Sequence, residues 1–410
     1  AGARYFEQPG DHSLRFAGGG DIDALFGEIA GFLAALLGLT TACSICHARD
    51  VQRDAISQHR RTGARSRPAS IRDVARLAGV SHQTVSRVLN GHPSVRDATR
   101  TRVLVAMDEL QFRPSRAARM LSMRRSQTIG VLAAAVGSHY GPASSVSAVE
   151  DAAREQGYYA TVAHLASLSA DAISAAVEDL LNQDVEGVVI VAPRTAVLSR
   201  LAALAVDIPI VAAQGEQEDA GGIPVASVDQ RAGVRMVMDY LTGQGHRRIV
   251  HVAGPPDWND AQSRLRAYEA EVRSSGLPVL PPAHGDWTAE SGYQAGRSLI
   301  QAAGHGELGF SAVFSSNDQM ALGLMHAFRE AGLDVPRDVS VVGFDDIPEA
   351  AHFWPPLTTV RQAFDELGKR CVAMLMDAIR KSEDPSALPD EAVPDAVAPQ
   401  LIVRDSVAAV

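Results

Sequence analysis

The 410-residue sequence has little cysteine and no apolar segment of the length that normally crosses a membrane. Three cysteines are too few for a disulfide framework in a chain of this size, so we expect a reducing, cytoplasmic setting. An uncharged apolar run of 17 residues, 29–45, is shorter than the roughly 20 residues of a membrane helix and follows no basic segment. We therefore expect no membrane partner and no export, which argues against a sugar-binding transport protein.

The signatures of common enzymes and of metal sites are also missing. The sequence contains no Gly-x-Ser-x-Gly, no P-loop and no His-Glu-x-x-His. Cys43, Cys46 and His47 have the beginning of a zinc-binding spacing, but no second ligand pair follows at finger spacing. We expect no catalytic residues, no metal and no cofactor.

Positive charge is scarce overall, and it is unevenly distributed. The formal net charge is −10, yet residues 66–125 contain 12 Arg and only four acidic residues. Residues 126–410 carry a net charge of −18. A compact basic module joined to an acidic body indicates a nucleic-acid contact attached to a domain with a different task.

The basic region 66–113 has the pattern of three short helices. Ser70 and Asp73 form an N-cap pair before the first helix, and Gly79 is suited to end it. Ser81 is a good N-cap for the second helix, so only a Gly-Val-Ser turn separates the two. Because apolar residues recur at helical spacing in all three, the region is predicted to be a helix-turn-helix.

One face of the second helix is rich in hydrogen-bonding side chains. Residues four apart share a helix face, so His82 lies beside Ser86 and Gln83 lies beside Arg87, opposite the apolar stripe. A solvated face usually mixes both charge signs, whereas this one has an arginine and no acidic residue. In the major groove, Gln can pair with adenine and Arg with guanine. The second helix is therefore the predicted DNA-reading element.

Beyond about residue 127, apolar runs typical of buried strands alternate with helical patterns. Six such runs occur, at 128–136, 185–192, 207–213, 248–254, 311–316 and 339–346. Alternation of this kind predicts parallel sheets with helices on both faces. Roughly 280 residues are too many for one sheet, so we expect an α/β core of two lobes, each a doubly wound parallel sheet, after a small all-α domain. Ligands of such sheets bind beyond the carboxyl ends of the strands.

The segment 70–121 resembles the DNA-binding domain of the lactose-repressor (LacI/GalR) family. The resemblance continues through NDQMALG (317–323), DVSVVGFDD (338–346) and PPLTTVRQ (355–362), and covers about residues 70–405. It implies a DNA-binding transcriptional regulator with a core like that of periplasmic binding proteins. In the family, the positions matching His82, Gln83 and Arg87 read bases. Five further positions support that helix or contact phosphates, and they match Ser81, Thr84, Ser86, Asn90 and Thr99.

The segment 115–122 resembles the hinge helix of the same family, which folds on operator DNA. The resemblance implies that two copies meet in the minor groove, where the leucine matching Leu121 wedges between base pairs. Arg116 suits a phosphate contact, and the small Ala118 suits the close approach of two helices. We expect a homodimer, since no heptad-patterned tail follows the last part of the resemblance.

The resemblance also assigns a small-molecule effector site. The residues matching Arg264, Asn317 and Asp345 bind the effector in the family, and Trp287 falls where sugar-responsive members carry a tryptophan. Each has a plainer alternative: Arg264 could form a surface ion pair, Asn317 could cap a helix, Asp345 could serve a turn, and Trp287 could pack within a lobe. Donors, an acceptor carboxylate and a flat aromatic face suit a sugar.

Departures from the family pattern argue against a galactoside. Gln214 stands where a galactoside-responsive repressor has Asp, and Ala134 stands near where it has Ser. Tyr140, preceded by His139, follows the first strand. We expect a repressor controlled by a small sugar-like effector. The alternative is an activator or corepressor-type regulator that responds to a non-sugar metabolite such as a purine or a sugar phosphate.

The expected organisation follows from these patterns. Residues 1–65 are expected to be a poorly ordered N-terminal extension that is dispensable for function. The helix-turn-helix domain covers 66–113, the hinge 114–126, and the effector-binding and dimerisation domain 127–410. Within that domain the first lobe is expected at about 127–226 plus 361–390, and the second at about 227–360 plus 391–406.

Overall fold

The computed structural model describes most of the chain beyond residue 68. The described residues are 69–89, 92–112, 125–133, 139–165, 167–191, 194–204, 206–214, 222–303, 308–384, 386 and 396–410. The predictions for residues 1–65, for nearly all of the hinge, and for Asn90, Arg116, Ala118, Leu121 and Ala134 lie outside them. In the part that is described, no helix has the length and apolar character needed to cross a membrane. The chain divides into two compact units, 1–114 and 115–410.

The first unit contains the three predicted helices, α1 Ile71–Ala78, α2 His82–Leu89 and α3 Asp97–Glu109. The Asp73 carboxylate accepts hydrogen bonds from the Ser70 amide at 2.9 Å and from its hydroxyl at 2.6 Å, which fixes the start of α1. Gly79 ends α1 with a left-handed φ of 65°, where a Cβ would be strained. A small core joins the three helices, with Val74, Val85 and Val103 fully buried.

The second unit begins with a six-stranded parallel sheet, whose strands lie in the order Ala396–Val397 (β11), Val225–Val228 (β5), Ile210–Ala213 (β4), Val188–Val191 (β3), Thr128–Ala133 (β1) and Tyr159–His164 (β2). Its strands are continuous apolar runs because helices cover both faces, as the buried residues of β1 and β3 show. The elements of this first lobe are β1 Thr128–Ala133, α4 Tyr140–Glu155, β2 Tyr159–His164, α5 Ala170–Leu181, β3 Val188–Val191, α6 Thr195–Ala202, β4 Ile210–Ala213 and β5 Val225–Val228.

A second sheet has its strands in the order Gln400–Ile402 (β12), Thr358–Arg361 (β10), Ser340–Asp345 (β9), Ala312–Ser315 (β8), Ile249–Ala253 (β6) and Ala283–His284 (β7). It is parallel except for the antiparallel pair β10–β12. Helices again pack on both of its faces. After β5 the chain continues through α7 Gln230–Gly243, β6 Ile249–Ala253, α8 Asn259–Ser274, β7 Ala283–His284, α9 Ala289–Ala303, β8 Ala312–Ser315, α10 Asp318–Glu330, β9 Ser340–Asp345, a 3₁₀ helix Pro348–His352, β10 Thr358–Arg361, α11 Phe364–Glu383, β11 Ala396–Val397 and β12 Gln400–Ile402. Of these elements, α11 and β11 belong to the first lobe.

The chain crosses between the two sheets three times. It leaves the first sheet after β5 and returns after β10, because α11 packs against β4 and β5. It crosses again between β11, which pairs with β5, and β12, which pairs with β10. The two-sheet architecture is confirmed, but the expectation that all of 391–406 belongs to the second lobe is wrong for β11. Its two residues were too short a segment to give a strand pattern of their own.

Candidate functional site

The predicted reading face of α2 is accessible on the first unit. Val85 and Val88 are buried against the other two helices, so His82, Gln83 and Arg87 are exposed on the opposite side. No acidic residue lies on α2, and within the described residues Arg87 forms no ion pair. The face is therefore open to an acceptor-rich surface such as a nucleic acid.

The residues predicted to support this helix lie at its start and on α3. The Ser81 hydroxyl accepts from the Thr84 amide at 3.1 Å and lies 2.9 Å from the Thr84 hydroxyl, which caps α2. Thr84, Ser86 and Thr99 are half-buried, whereas Ser81 is exposed. Their contacts with phosphates remain predictions.

The second unit contains a cleft of about 230 Å³ between the two lobes. All six residues predicted to bind the effector line it, although they come from distant parts of the chain. The cleft is also lined by eight residues that the prediction did not include as ligands. The described residues that line it are His139, Tyr140, Gly141, Pro142, Gln214, Trp258, Asp260, Arg264, Trp287, Thr288, Asn317, Gln319, Asp345 and Gln362.

Arg264 projects from α8 and is buried, with 3% of its surface exposed. Its Nε donates to Gln230 Oε1 at 2.8 Å, and its Nη1 donates to the Ser316 carbonyl. Its Nη2 lies 3.7 Å from Asp345 Oδ1 and 4.0 Å from Asp260 Oδ2. Burial lowers the pKa of the guanidinium, and the two carboxylates oppose that shift. The plainer reading of Arg264 as a surface ion pair is wrong, since the group is held inside the cleft.

Asp345 ends β9 and faces Arg264. Its Oδ1 accepts from Gln362 Nε2 at 2.6 Å. Burial raises the pKa of Asp345 to about 6, although Arg264 and the Gln362 hydrogen bond favour the charged form. The neighbouring Asp346 instead forms an ion pair with Arg404 at 2.6 Å, so the two aspartates have different partners.

Asn317 is the N-cap of α10, which is the alternative role predicted for it from the sequence. Its Oδ1 accepts from the Met320 amide at 2.9 Å. Its Nδ2 donates to the Trp287 carbonyl at 3.0 Å and to Gln319 Oε1 at 2.8 Å. The cap residue therefore also positions Trp287 in the cleft.

Two tryptophans form an aromatic wall. The rings of Trp258 and Trp287 meet edge to face, 5.5 Å apart, and His139 packs against Trp258 at 5.2 Å. Both indole N–H groups are buried and have no hydrogen-bond partner. Gln214 Oε1 is likewise buried and without a partner. Two donors and one acceptor on residues that line the cleft thus lack hydrogen-bond partners.

Three lining residues other than glycine adopt left-handed backbone conformations. The φ angles are 70° at Gln214, 75° at Trp287 and 108° at Asp345. Such conformations cost on the order of 1–3 kcal/mol each and concentrate at binding sites, where surrounding structure holds them. The cleft therefore has the strained backbone typical of a functional site.

Asp318 lies behind the cleft and is fully buried. Its carboxylate accepts from the Thr359 hydroxyl at 2.6 Å and from the Ile347 amide at 2.8 Å. Burial raises the pKa of Asp318 well above its usual value, and the charge of Asp345 adds to the shift. Asp318 thus joins α10, β9 and β10 beneath the ligand-facing residues.

A salt bridge also joins the lobes at the edge of the cleft. Arg194, which precedes α6 of the first lobe, lies 2.9 Å from Asp257 of the second. Its guanidinium lies 5.5 Å from the centroid of the Trp258 ring. In the part of the chain that the structure describes, no group of His, Cys, Asp and Glu side chains is arranged to hold a metal ion.

A helix-turn-helix unit followed by a two-lobed α/β unit with a polar cleft defines a class of protein, the ligand-responsive transcriptional regulator. Comparison with protein families matches residues 70–115 to bacterial regulatory proteins of the lacI family. Residues 238–407 match a periplasmic binding protein-like domain.

Curated relatives agree with both matches. The chain is 35% identical over 313 residues to the lactose operon repressor of Escherichia coli (strain K12), covering 76% of this chain and 84% of that protein. It is 33% identical over 315 residues to the ribose operon repressor of the same strain, covering 76% and 93%. Over 348 residues it is 32% identical to the HTH-type transcriptional repressor PurR of Escherichia coli O1:K1 / APEC, covering 83% and 97%.

Solved structures give the same result. The lac repressor dimer bound to operator and the anti-inducer ONPF matches with a TM-score of 0.69 and 30% identity, covering 84% of this chain and all of that one. The complex of the transcriptional regulator CelR with cellobiose matches with a TM-score of 0.59 and 30% identity, covering 82% and 99%. The chain belongs to the lacI family of bacterial regulatory proteins.

Proposed function

We propose that this chain is a homodimeric transcriptional repressor whose affinity for operator DNA falls when a neutral monosaccharide occupies the cleft. One observation carries the proposal. The described residues that line the cleft combine an aromatic wall and hydrogen-bonding atoms without partners with one permanent cation, Arg264, that protein groups already hold. The same chain has a predicted DNA-reading helix, so binding in the cleft can change the affinity for operator DNA.

The DNA contact is proposed for α2. His82, Gln83 and Arg87 read bases in the major groove, and Ser81, Thr84, Ser86, Asn90 and Thr99 contribute to the helix and to phosphate contacts. Arg116, Ala118 and Leu121 act in the hinge, where two copies meet on a pseudo-palindromic site. The support is the exposed, acid-free face of α2 and the structure of a related dimer on its operator.

The charge of the cleft favours an uncharged ligand. Among the described residues that line it, Arg264 is the one permanently charged cation, and Asp260 and Asp345 stand beside it. The guanidinium already bonds Gln230 and the Ser316 carbonyl. A phosphate group would meet two carboxylates and no free cation there, so a sugar phosphate is disfavoured.

The size and lining of the cleft favour one sugar ring. Its volume of about 230 Å³ is below the roughly 300 Å³ at which pockets for drug-sized ligands begin. The tryptophan faces suit the apolar side of a pyranose, and their free N–H groups suit ring or hydroxyl oxygens. Asp345 accepts from hydroxyls, and Tyr140, Gln214 and Asn317 complete the proposed ligand set.

The names of the relatives also support a sugar as the effector. Two of them are repressors of sugar operons, and a related regulator is solved with a sugar. We place the chain with these regulators rather than with enzymes, and we propose that it acts where the DNA is, in the cytoplasm. The sugar closes the two lobes and thereby loosens the hinges, and it does so by binding the closed state more tightly than the open one.

A thermal-shift screen of the full chain tests the effector class. The panel contains neutral monosaccharides, the phosphate esters of the same sugars, and purine bases. We expect a neutral monosaccharide to raise the melting temperature and its phosphate to have no effect. The hit is then added to the complex of the protein with a duplex selected from random sequences, followed by fluorescence anisotropy, where it is expected to release DNA.

Two arginines on the same helix provide a matched pair. Arg264→Ala is expected to abolish the thermal shift, whereas Arg266→Ala, at an exposed position of α8, keeps it. Stabilisation by a phosphate ester or by a purine would refute the neutral-sugar proposal and favour the other effector class. A hit that tightens DNA binding would show a corepressor-type regulator.

A further inference from the structure

Two buried glutamines lie where the chain crosses between the lobes. Gln230 is the first residue of α7, directly after the crossing from β5. Gln362 directly follows β10, where the chain returns to α11 and the first sheet. Both side chains are buried, and the apolar periodicity of the sequence does not single out either position.

The two amides bond to each other and to the two charged residues of the cleft. Arg264 Nε donates to Gln230 Oε1 at 2.8 Å, and Gln230 Nε2 donates to Gln362 Oε1 at 3.0 Å. Gln362 Nε2 donates to Asp345 Oδ1 at 2.6 Å. The Asp345 carboxylate faces Arg264 Nη2 at 3.7 Å and closes the ring. We call these four residues the crossover ring.

The orientation of both amides follows from the ends of the ring. A guanidinium only donates hydrogen bonds, and an ionised carboxylate only accepts them. Gln230 must therefore turn its carbonyl to Arg264, and Gln362 must turn its NH₂ to Asp345. A change at either charged end affects both amides, because reversing one of them places two donors or two acceptors face to face.

The crossings are also joined outside the ring. The Asp229 amide donates to the Val397 carbonyl at 2.9 Å, which joins the first crossing to the third. The Gln230–Gln362 hydrogen bond joins the first crossing to the second. Rotation of one lobe against the other concentrates dihedral changes at such connecting segments. The ring therefore links the charged residues of the cleft to the segments about which the lobes move.

We propose that Gln230 and Gln362 are positioning residues that transmit the state of Arg264 and Asp345 to the crossings between the lobes. The inference rests on the proposed function, in which these two charged residues contact the effector. A ligand hydroxyl that engages Asp345 or Arg264 changes the hydrogen bonds offered to the amides, and the crossings respond. If the two amides served only to satisfy the hydrogen bonds of buried polar groups, a change at Arg264 or Asp345 would not affect the crossings.

The test uses hydrogen–deuterium exchange of the full chain, without sugar or DNA. Gln362→Leu is expected to raise exchange several-fold at the amides of 229–233, on the other crossing. Gln230→Leu is expected to do the same at 362–365. Gln319→Leu, a change at a cleft glutamine outside the ring, is the matched control and leaves both segments as in the wild type. Peptides from α5 and α10 report any global loss of stability.

A second readout follows the charged end of the ring. Tryptophan fluorescence is followed as pH falls, and the part of the change that is missing in Asp345→Asn reports the titration of Asp345. This control is needed because His139 packs against Trp258 at 5.2 Å and burial lowers the pKa of its imidazole. Gln230→Leu is expected to raise the titration midpoint by about half a pH unit, although Gln230 does not touch Asp345, because Gln362 is no longer held as a donor. Gln319→Leu leaves the midpoint unchanged.

Exchange that rises only beside each substituted residue, with an unchanged midpoint in Gln230→Leu, would overturn the proposal. A uniform rise over all peptides would equally overturn it, since it would show loss of stability without transmission. Neither readout needs a ligand, so a failed sugar screen leaves this test intact. Conversely, a negative exchange result leaves the proposed effector class standing.

Discussion

Effector affinity and ligand-free stability should respond to pH in opposite directions, and Asp345 is the reason. The carboxyl is buried and its pKa is raised to about 6. In the proposed complex it must be ionised to accept from sugar hydroxyls. Acidification through pH 6 therefore protonates the group that the sugar needs, and the apparent affinity falls.

The magnitude follows from the pKa. Binding that requires the ionised form weakens by about tenfold per pH unit below the pKa of the free protein. With a pKa of about 6, the dissociation constant is expected to be nearly constant above pH 7 and about tenfold higher at pH 5. Isothermal calorimetry with the monosaccharide found in the screen measures this directly.

The stability of the ligand-free protein depends on pH in the opposite direction. A carboxyl whose pKa is raised on folding stabilises the folded state at acid pH, and that contribution is lost as pH rises from about 4 to 6. The difference between 3.8 and about 6 corresponds to about 3 kcal/mol. Asp345→Asn is expected to remove the pH dependence of sugar binding together with most of the affinity. An affinity that stays constant from pH 7 to pH 5 would refute the role of Asp345 as an ionised acceptor.

Three further predictions test other parts of the molecule. Arg87→Ala is expected to weaken binding to the selected duplex by roughly 1–3 kcal/mol and to relax its sequence preference, whereas Arg102→Ala on α3, with the same loss of charge, keeps the preference in a binding-selection assay. Trp258→Phe removes a buried N–H that has no partner, so we expect the stability of the ligand-free protein to change little. The dissociation constant of the sugar is expected to rise about 2- to 13-fold, which corresponds to the loss of one neutral hydrogen bond of about 0.5–1.5 kcal/mol. Asp318→Asn can keep the hydrogen bond from the Ile347 amide on its carbonyl oxygen, and its NH₂ can donate to the Thr359 hydroxyl oxygen in place of the bond that the carboxylate accepts. Because burial raises the pKa of Asp318, the variant is expected to be the more stable protein at pH 8 and to lose that advantage toward pH 4.5 in urea unfolding. The exposed Asp179→Asn controls for the loss of one carboxylate, and an equal pH profile in wild type and Asp318→Asn would contradict the last prediction.

The first unit could be predicted because its signals are local. Ser70, Gly79 and Ser81 each act within one turn of the helix that they begin or end, and the structure confirms all three. The central strands were equally visible, since burial on both faces requires an unbroken apolar run. The short strands β7 and β11 have two residues each, so their positions depend on neighbouring strands that the sequence does not show.

The cleft was predicted in part, and mostly by resemblance. Arg264, Asn317 and Asp345 were named from family motifs, whereas Trp258 was not, because it lies in a Pro-Asp-Trp-Asn stretch that is typical of a turn. Gln230 gave no signal and Gln362 appeared only as the last residue of the family motif 355–362, since the importance of both comes from the meeting of two crossings that are 132 residues apart.

Because Arg194 and Asp257 form an ion pair between the lobes, the response of the protein to the sugar depends on salt concentration. Both groups are partly exposed, with 34% and 56% of their side chains accessible, so the pair contributes at most about 1 kcal/mol and weakens as salt is added. Added salt therefore acts twice on this chain, since it weakens DNA binding by competing for phosphates and opposes lobe closure at the cleft. The two effects oppose each other in a sugar titration: weaker DNA binding lowers the amount of sugar needed for release, whereas a weaker bridge raises it. Dose–response curves taken in different buffers should be compared only at matched ionic strength.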